Sequence, residues 1–146
     1  MGTAQASDYL ENKLVDHLFR TATFAKPAAL YVGLFTAAPS DAGGGTEVSG
    51  GSYARVNLPP LDTNWGGTHG TTTGASSGTT GMTANKVALV YPSPTANWGT
   101  ITHFGLFDAV TGGNLLVWDA LTTPRTILSG EPPPVFPVDA MTITVS

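Results

Sequence analysis

Residues 102–121, THFGLFDAVTGGNLLVWDAL, constrain the fold more than any other stretch of this chain. Two apolar runs flank AVTGG, and its glycines suit the tight turns that join antiparallel strands. Almost nothing here is charged. Apolar residues occupy successive positions, so both faces of the pair would be covered. The stretch predicts a hairpin at the centre of a sheet, with Phe104 and Trp118 in the core. Such a segment builds and buries a surface rather than presenting chemistry.

The rest of the chain supplies partners for that hairpin. DYLENKLVDHLFR (8–20) reads as one amphipathic helix, with Leu10, Leu14 and Leu18 four residues apart and Val15 and Phe19 beside them. Asp8 is the expected N-cap, Glu11 three residues on suggests a capping box, and Asp16 and Arg20 are placed to pair. ALYVGLFT (29–36) has two apolar faces and reads as a central strand. YARVNL (53–58), KVALVYP (86–92), TIL (126–128) and AMTITV (140–145) are shorter strand candidates, several of them stopped by proline. The segments 38–52 and 62–83 are Gly/Ser/Thr-rich loops, and SGEPPPVFPVD (129–139) is an extended surface segment. The expected fold is mainly β: an antiparallel β-sandwich or small barrel of about seven strands with one N-terminal amphipathic helix. A single β-rich domain would span residues 1–146, with the helix at 8–20 and a Gly/Thr-rich insertion loop at 62–83.

Composition then limits the functions. Charged residues make up 11% of the chain, less than half the usual share of about 25%. Charge depletion marks interface cores, so much of the surface is expected to be covered by partner chains. The six Lys and Arg residues are scattered singly and the net charge is −4. That leaves no basic patch for nucleic acid or for an anionic membrane. There is no cysteine, hence no disulfide framework or thiolate metal site. No signal peptide and no transmembrane segment are read.

No catalytic, cofactor-binding or metal-binding residue is assigned. His17, His69 and His103 have no metal-ligand spacing. The acids fall mostly in turns. Asp119, inside an apolar run, is expected to face solvent or to pair. The glycine clusters lack the Lys-Ser/Thr of a phosphate loop, and no nucleophile elbow occurs. His103 with Asp119 in an open cleft would reopen the enzyme reading. Trp65 and Trp98, each in an Asn-Trp-Gly triplet, are candidate carbohydrate contacts, whereas Trp118 is read as core.

YLENKLVDHLFR (9–20), LYVGLFTAAPSDAGGGTEVSGGSYARV (30–56) and ANWGTITHFGLFDAVTGGNLLVWDAL (96–121) together resemble a family of small bacteriophage virion proteins, labelled tail-fibre-like or head-decoration proteins. The resemblance leaves out 66–83 and 132–134. It implies a β-rich virion component without enzymatic activity, folded in the bacterial cytoplasm and then built into the particle. The expected function is capsid decoration: a cement protein that binds the assembled lattice and so stabilises the head shell. The alternative is a tail fibre, spike or baseplate component involved in host attachment. The expected partners are other virion proteins, the major capsid protein first, and further copies of the chain; a trimer would suit local threefold positions. Candidate partner contacts are Leu10, Leu14 and Leu18 on the helix, Thr46, Glu47 and Val48 in the first loop, and Pro132, Pro133, Pro134, Val135 and Phe136 in the proline-rich segment. The helix is expected to act first as a lid on the core and second as a docking face.

Overall fold

The computed structural model describes residues 4–145. The elements run β1 (Gln5–Ala6), α1 (Asp8–Phe19), β2 (Tyr31–Ala37), β3 (Thr46–Glu47), β4 (Val56–Asn57), β5 (Met82–Ala84), β6 (Leu89–Val90), β7 (Gly99–Phe107), β8 (Leu115–Ile127), β9 (Val135–Phe136) and β10 (Thr142–Thr144). The fold is mainly β, all its strand pairs are antiparallel, and one helix stands near the N-terminus. The main sheet has the order β1-β8-β7-β2-β3, with β4 also on β2; β5 pairs with β10 and β6 with β9 in two separate ribbons. No closed barrel forms among the described residues.

The 102–121 hairpin exists as β7 and β8 and lies inside the sheet, with β7 at its middle. β7 pairs with β2 from Tyr31↔Phe107 to Phe35↔His103. On its other side β8 is covered by β1 only at Val117 and Trp118. A difference from the expectation lies further along β8. Ile101 pairs with Arg125 while His103 pairs with Ala120, so residues 121–124 fall in a register shift. A bulge of this kind accommodates Pro124, which has no N–H to give, and merges two expected strands into one.

Side-chain alternation gives the sheet two apolar faces. On one, Val32, Leu34, Ile101, Phe104, Leu106 and Ile127 pack with Leu89, Tyr91, Met141 and Ile143. Those last four come from the two ribbons and the segments beside them, so the core lies between sheet and ribbons as in a sandwich. On the other face Phe35, Phe107 and Leu115 form a smaller cluster, with Tyr31 and Trp118 against it. Gly33 and Gly105 face each other across β2 and β7. A Cβ on Gly105 would lie 2.7 Å from Leu115 Cδ1 and 3.0 Å from Phe35 Cε2, so glycine is what lets these rings close over the strand.

The ribbon layer is held by a buried amide. Asn85 is fully enclosed. Its Nδ2 donates to the Val87 and Pro137 carbonyls at 2.9 and 2.8 Å, and its Oδ1 accepts from Met141 N–H at 2.9 Å. The first proline-rich carbonyl to be used is that of Pro134, which accepts from Tyr91 N–H at 2.9 Å. The 129–139 segment is therefore stitched into the fold through β9 rather than lying loose on the surface. Asn85→Ala strands three backbone groups at once. The expected loss is about 2–3 kcal/mol, read as a lower urea midpoint at unchanged slope.

Candidate assembly surface

The helix begins at a well-anchored point. Ser7, not Asp8, is the N-cap: its Oγ accepts from Leu10 N–H at 3.2 Å and donates to the Leu115 carbonyl. Ser7 N–H also donates to the Leu116 carbonyl at 2.9 Å, and Asp8 N–H to that of Asp41 at 2.8 Å. Asp8 is thereby the first helical residue and Leu10 the third, so the expected Asp8–Glu11 capping box does not form. Both acids still sit in the first turn, where the helix dipole favours them. The helix ends at Phe19, one residue short of the expectation, with Arg20 as C-cap and its Nε 3.2 Å from Asp16 Oδ1.

Beyond that first turn the helix leaves the core. None of its residues is buried. Tyr9, Leu10, Lys13 and Asp16 are half-buried against the fold. The apolar strip turns outward: Leu14 is 39% exposed, Val15 49%, Leu18 66% and Phe19 80%. Leu14 and Leu18 lie one turn apart on one line, Val15 and Phe19 on the next. The lid expected over the core is thus absent. The reason is that the ribbons already cover one face of the sheet and the Phe35–Phe107–Leu115 cluster occupies the other.

Beside the start of the helix opens a cleft of about 770 Å³. Leu10, Leu30, Pro60, Leu61, Trp65, Leu106, Leu116, Val117 and Ile143 give it an apolar lining. Gly66, Gly67, Thr71, Thr72 and Thr83 close one side, and Lys26 and Asp62 are the charged residues along it. The Gly/Thr-rich loop forming that side is held by its own hydroxyls. Thr68 N–H donates to Ser76 Oγ at 3.2 Å, Gly78 N–H to Thr68 Oγ1 at 2.8 Å, and Thr83 Oγ1 to the Gly66 carbonyl at 2.6 Å.

The tryptophans change places relative to the sequence reading. Trp98 is 5% exposed, packs edge-on to Tyr53 at 5.3 Å and donates to the Gly51 carbonyl at 2.9 Å. It offers no ring face to a sugar. Trp65 is half-buried on the cleft wall. Trp118, expected in the core, is half-buried on the opposite face, with its indole N–H 3.3 Å from Asp41 Oδ1. Strand register explains this last exchange: Trp118 pairs with Gly105, and Gly105 shares its side of β7 with Phe107.

The remaining candidates are scattered. In the first loop Thr46 is exposed, Glu47 is half-buried and Val48 is buried; Thr46 and Glu47 form β3 inside the main sheet rather than a free arm. Of the proline-rich set, Pro132 and Val135 are exposed and Pro134 is buried. Pro133 and Phe136 are half-buried, and the Phe136 ring lies 6.2 Å from both Tyr91 and Phe104.

Glu47 has a role the sequence reading missed. Arg55 donates Nε to Glu47 Oε1 at 2.8 Å and Nη2 to Oε2 at 2.7 Å, a bidentate pair. Its Nη1 donates to the carbonyls of Ala109 and Gly112, both at 2.8 Å, and its guanidinium lies 3.4 Å over the Phe107 ring. Tyr53 donates to Glu47 Oε1 at 2.9 Å and accepts from Leu34 N–H at 2.8 Å. Burial pushes the Tyr53 phenol far above the usual tyrosine range, so it remains a neutral donor. This node locks β3 and the β7–β8 turn to the sheet. The only sequence signal was a lone arginine in the apolar run YARVNL.

Chemistry finds no convergence point. His103 pairs with Phe35 and so takes the face of the smaller cluster; Asp119 pairs with Phe104 and takes the core face. They do not meet. Asp119 is neither solvated nor paired as expected: it is buried, Oδ1 accepts from Ala120 N–H at 2.8 Å, and Oδ2 has no partner. Among the described residues no three His, Asp or Glu side chains are grouped to hold a metal ion. No helix among the described residues is long and apolar enough to cross a membrane.

A search among curated proteins returns no match. A family model, podophage GP4 fiber I protein gp80, matches residues 5–144. That span takes in α1, the whole sheet and both ribbons, including the 66–83 and 132–134 segments outside the resemblance. A phage virion structural protein is therefore what the stitched sheet and the outward apolar helix belong to, and the chain is a member of the podophage GP4 fiber I protein gp80 family.

Proposed function

We propose that the chain is a structural component of the phage tail, in the fibre or at its base, and serves host attachment by assembly rather than by turnover. The match over residues 5–144 to a fibre family carries this reading. It favours tail attachment over the head decoration that the resemblance, read with the low charge, put first. The architecture suits the role: a sheet tied by Arg55 and a ribbon layer tied by Asn85 give a stiff platform, and α1 carries an uncovered apolar strip. Its partners are other virion proteins, with particle assembly in the host cytoplasm.

Deletion of the coding region from the phage tests the proposal. DNA-filled heads of normal heat resistance that no longer adsorb to cells are expected. Heads that adsorb normally but leak DNA on heating would return the protein to the shell.

A further inference from the structure

We infer that a second cavity, between β8 and β9, binds a carboxylate-bearing sugar, with Arg125 as the group that grips the carboxylate. The inference rests on the attachment reading above, which supplies the source: an acidic polysaccharide on the host surface. The cavity is about 330 Å³, within the range of small-ligand sites, about 300–1,000 Å³. Tyr91, Ile101, Ile127 and Phe136 give it an apolar lining, and Arg125 is the charged residue of that lining. The register shift of β8 builds the rim, where Leu121 and Thr123 lie beside Arg125. Bulges of this kind commonly aim side chains at a ligand. Arg125 pairs across the sheet with Ile101, which is 1% exposed, so the arginine stands on the core side of β8 where that core opens.

Arg125 is also the cation that the fold does not use. Lys13 lies over the Tyr9 ring, Arg20 meets Asp16, Lys26 the Pro60 carbonyl, Arg55 Glu47, and Lys86 Asp139. Among the described residues Arg125 is the one Lys or Arg with no hydrogen bond, ion pair or ring contact. A planar two-pronged donor left free beside an apolar cavity matches a ligand with a carboxylate at one end and a C–H face at the other. A uronic-acid ring meets both conditions, and the exposed Thr123 supplies a hydroxyl for those of the sugar. A second copy of the chain is a poorer source of the carboxylate. Asp16, Glu47 and Asp139 are already in ion pairs, and Asp41, Asp108 and Glu131 already accept hydrogen bonds.

The purified, isotope-labelled full chain is titrated in NMR with oligomers of galacturonic, glucuronic and sialic acids, and with neutral galactose oligomers of the same length. The Arg125 Nε–Hε signal, identified by its loss in Arg125→Gln, should shift and saturate in the millimolar range with at least one acidic oligomer. It should stay in place with the neutral ones. Arg125→Gln changes an exposed side chain and should leave the thermal midpoint where it was. It should weaken binding, followed at the neighbouring backbone signals, by about tenfold. Arg125→Lys should recover only part of that, because a point charge replaces the fork. Val135→Glu, a like charge on the cavity wall at a residue 42% exposed, should also weaken binding.

No saturable shift with any of the three acidic oligomers overturns the proposal. So does a shift matched by the neutral oligomers or by acetate alone, and so does binding that is unchanged in Arg125→Gln. Tighter binding of a peptide of the same negative charge would assign the cavity to a protein partner and overturn it too. The titration uses purified protein, so its failure leaves the tail location to be judged by the deletion phage. Normal adsorption of that phage would remove the attachment reading and leave the titration result intact.

Discussion

Phe104→Asp leaves no folded protein at 25 °C: circular dichroism shows no cooperative thermal transition, and the chain is recovered mainly from inclusion bodies. Phe104 is completely buried at the centre of β7, between β2 and β8. Its ring meets Phe136 at 6.2 Å and belongs to the cluster that joins the sheet to the ribbons. Removing the ring alone costs about 3–5 kcal/mol, since the walls of a strand pair collapse little. The new carboxylate adds the cost of an unpaired buried charge, several kcal/mol more. It would also stand across from Asp119, which is buried already with Oδ2 unpartnered. The sum reaches the whole stability of an ordinary domain, about 5–15 kcal/mol. A folded Phe104→Asp variant would mean that the sheet and ribbons do not share one core.

The second large effect is at Arg55. Its side chain is 7% exposed and its partner Glu47 24%. Arg55→Met keeps much of the stem but removes every guanidinium bond. Glu47 is then left partly buried with only the Tyr53 hydroxyl, and the Ala109 and Gly112 carbonyls lose their donor. Breaking a buried pair from one side costs about 3–5 kcal/mol. The Glu47 end is more open than the Arg55 end, which puts the expected loss near about 3 kcal/mol. Adding Glu47→Leu to Arg55→Met should recover part of it, because the orphaned charge goes too. A denaturant titration of the two variants reads both quantities. An unchanged midpoint in Arg55→Met would reduce the node to a surface pair.

Much of the fold was legible because period-2 patterning and turn residues are local signals. ALYVGLFT and the two arms of 102–121 became β2, β7 and β8, and AVTGG became their turn. What was not legible depends on pairing. KVALVYP contains a strand only at Leu89–Val90, because only there does β9 run beside it. Pro124 looked like a stop, yet a register shift absorbs it. Trp98 looked exposed beside its glycine, yet Tyr53 and the Gly51 carbonyl enclose it; Trp118 looked buried in its apolar run, and register turned it to the other face.

The helix is the more instructive case. Its apolar stripe was plain in the spacing of Leu10, Leu14 and Leu18. Periodicity says that a face is apolar, but it does not say what covers it. In an isolated domain the core is the usual answer, and a lid was the natural expectation. Here the ribbons already fill that role, and the strip points outward. The Arg55 node was hidden for a similar reason, since two of Arg55's four hydrogen bonds reach carbonyls far away in sequence, at Ala109 and Gly112. Low charge, the first clue to partner burial, agrees with an apolar helix face left open to solvent.

Quantitative mass spectrometry of purified virions, with the major shell protein as the internal standard, tests the proposed place in the tail most directly. A tail appendage is expected in a number of copies per particle that is a small fraction of the shell protein. Abundance comparable to the shell protein would contradict it and would make the chain a decoration of the head.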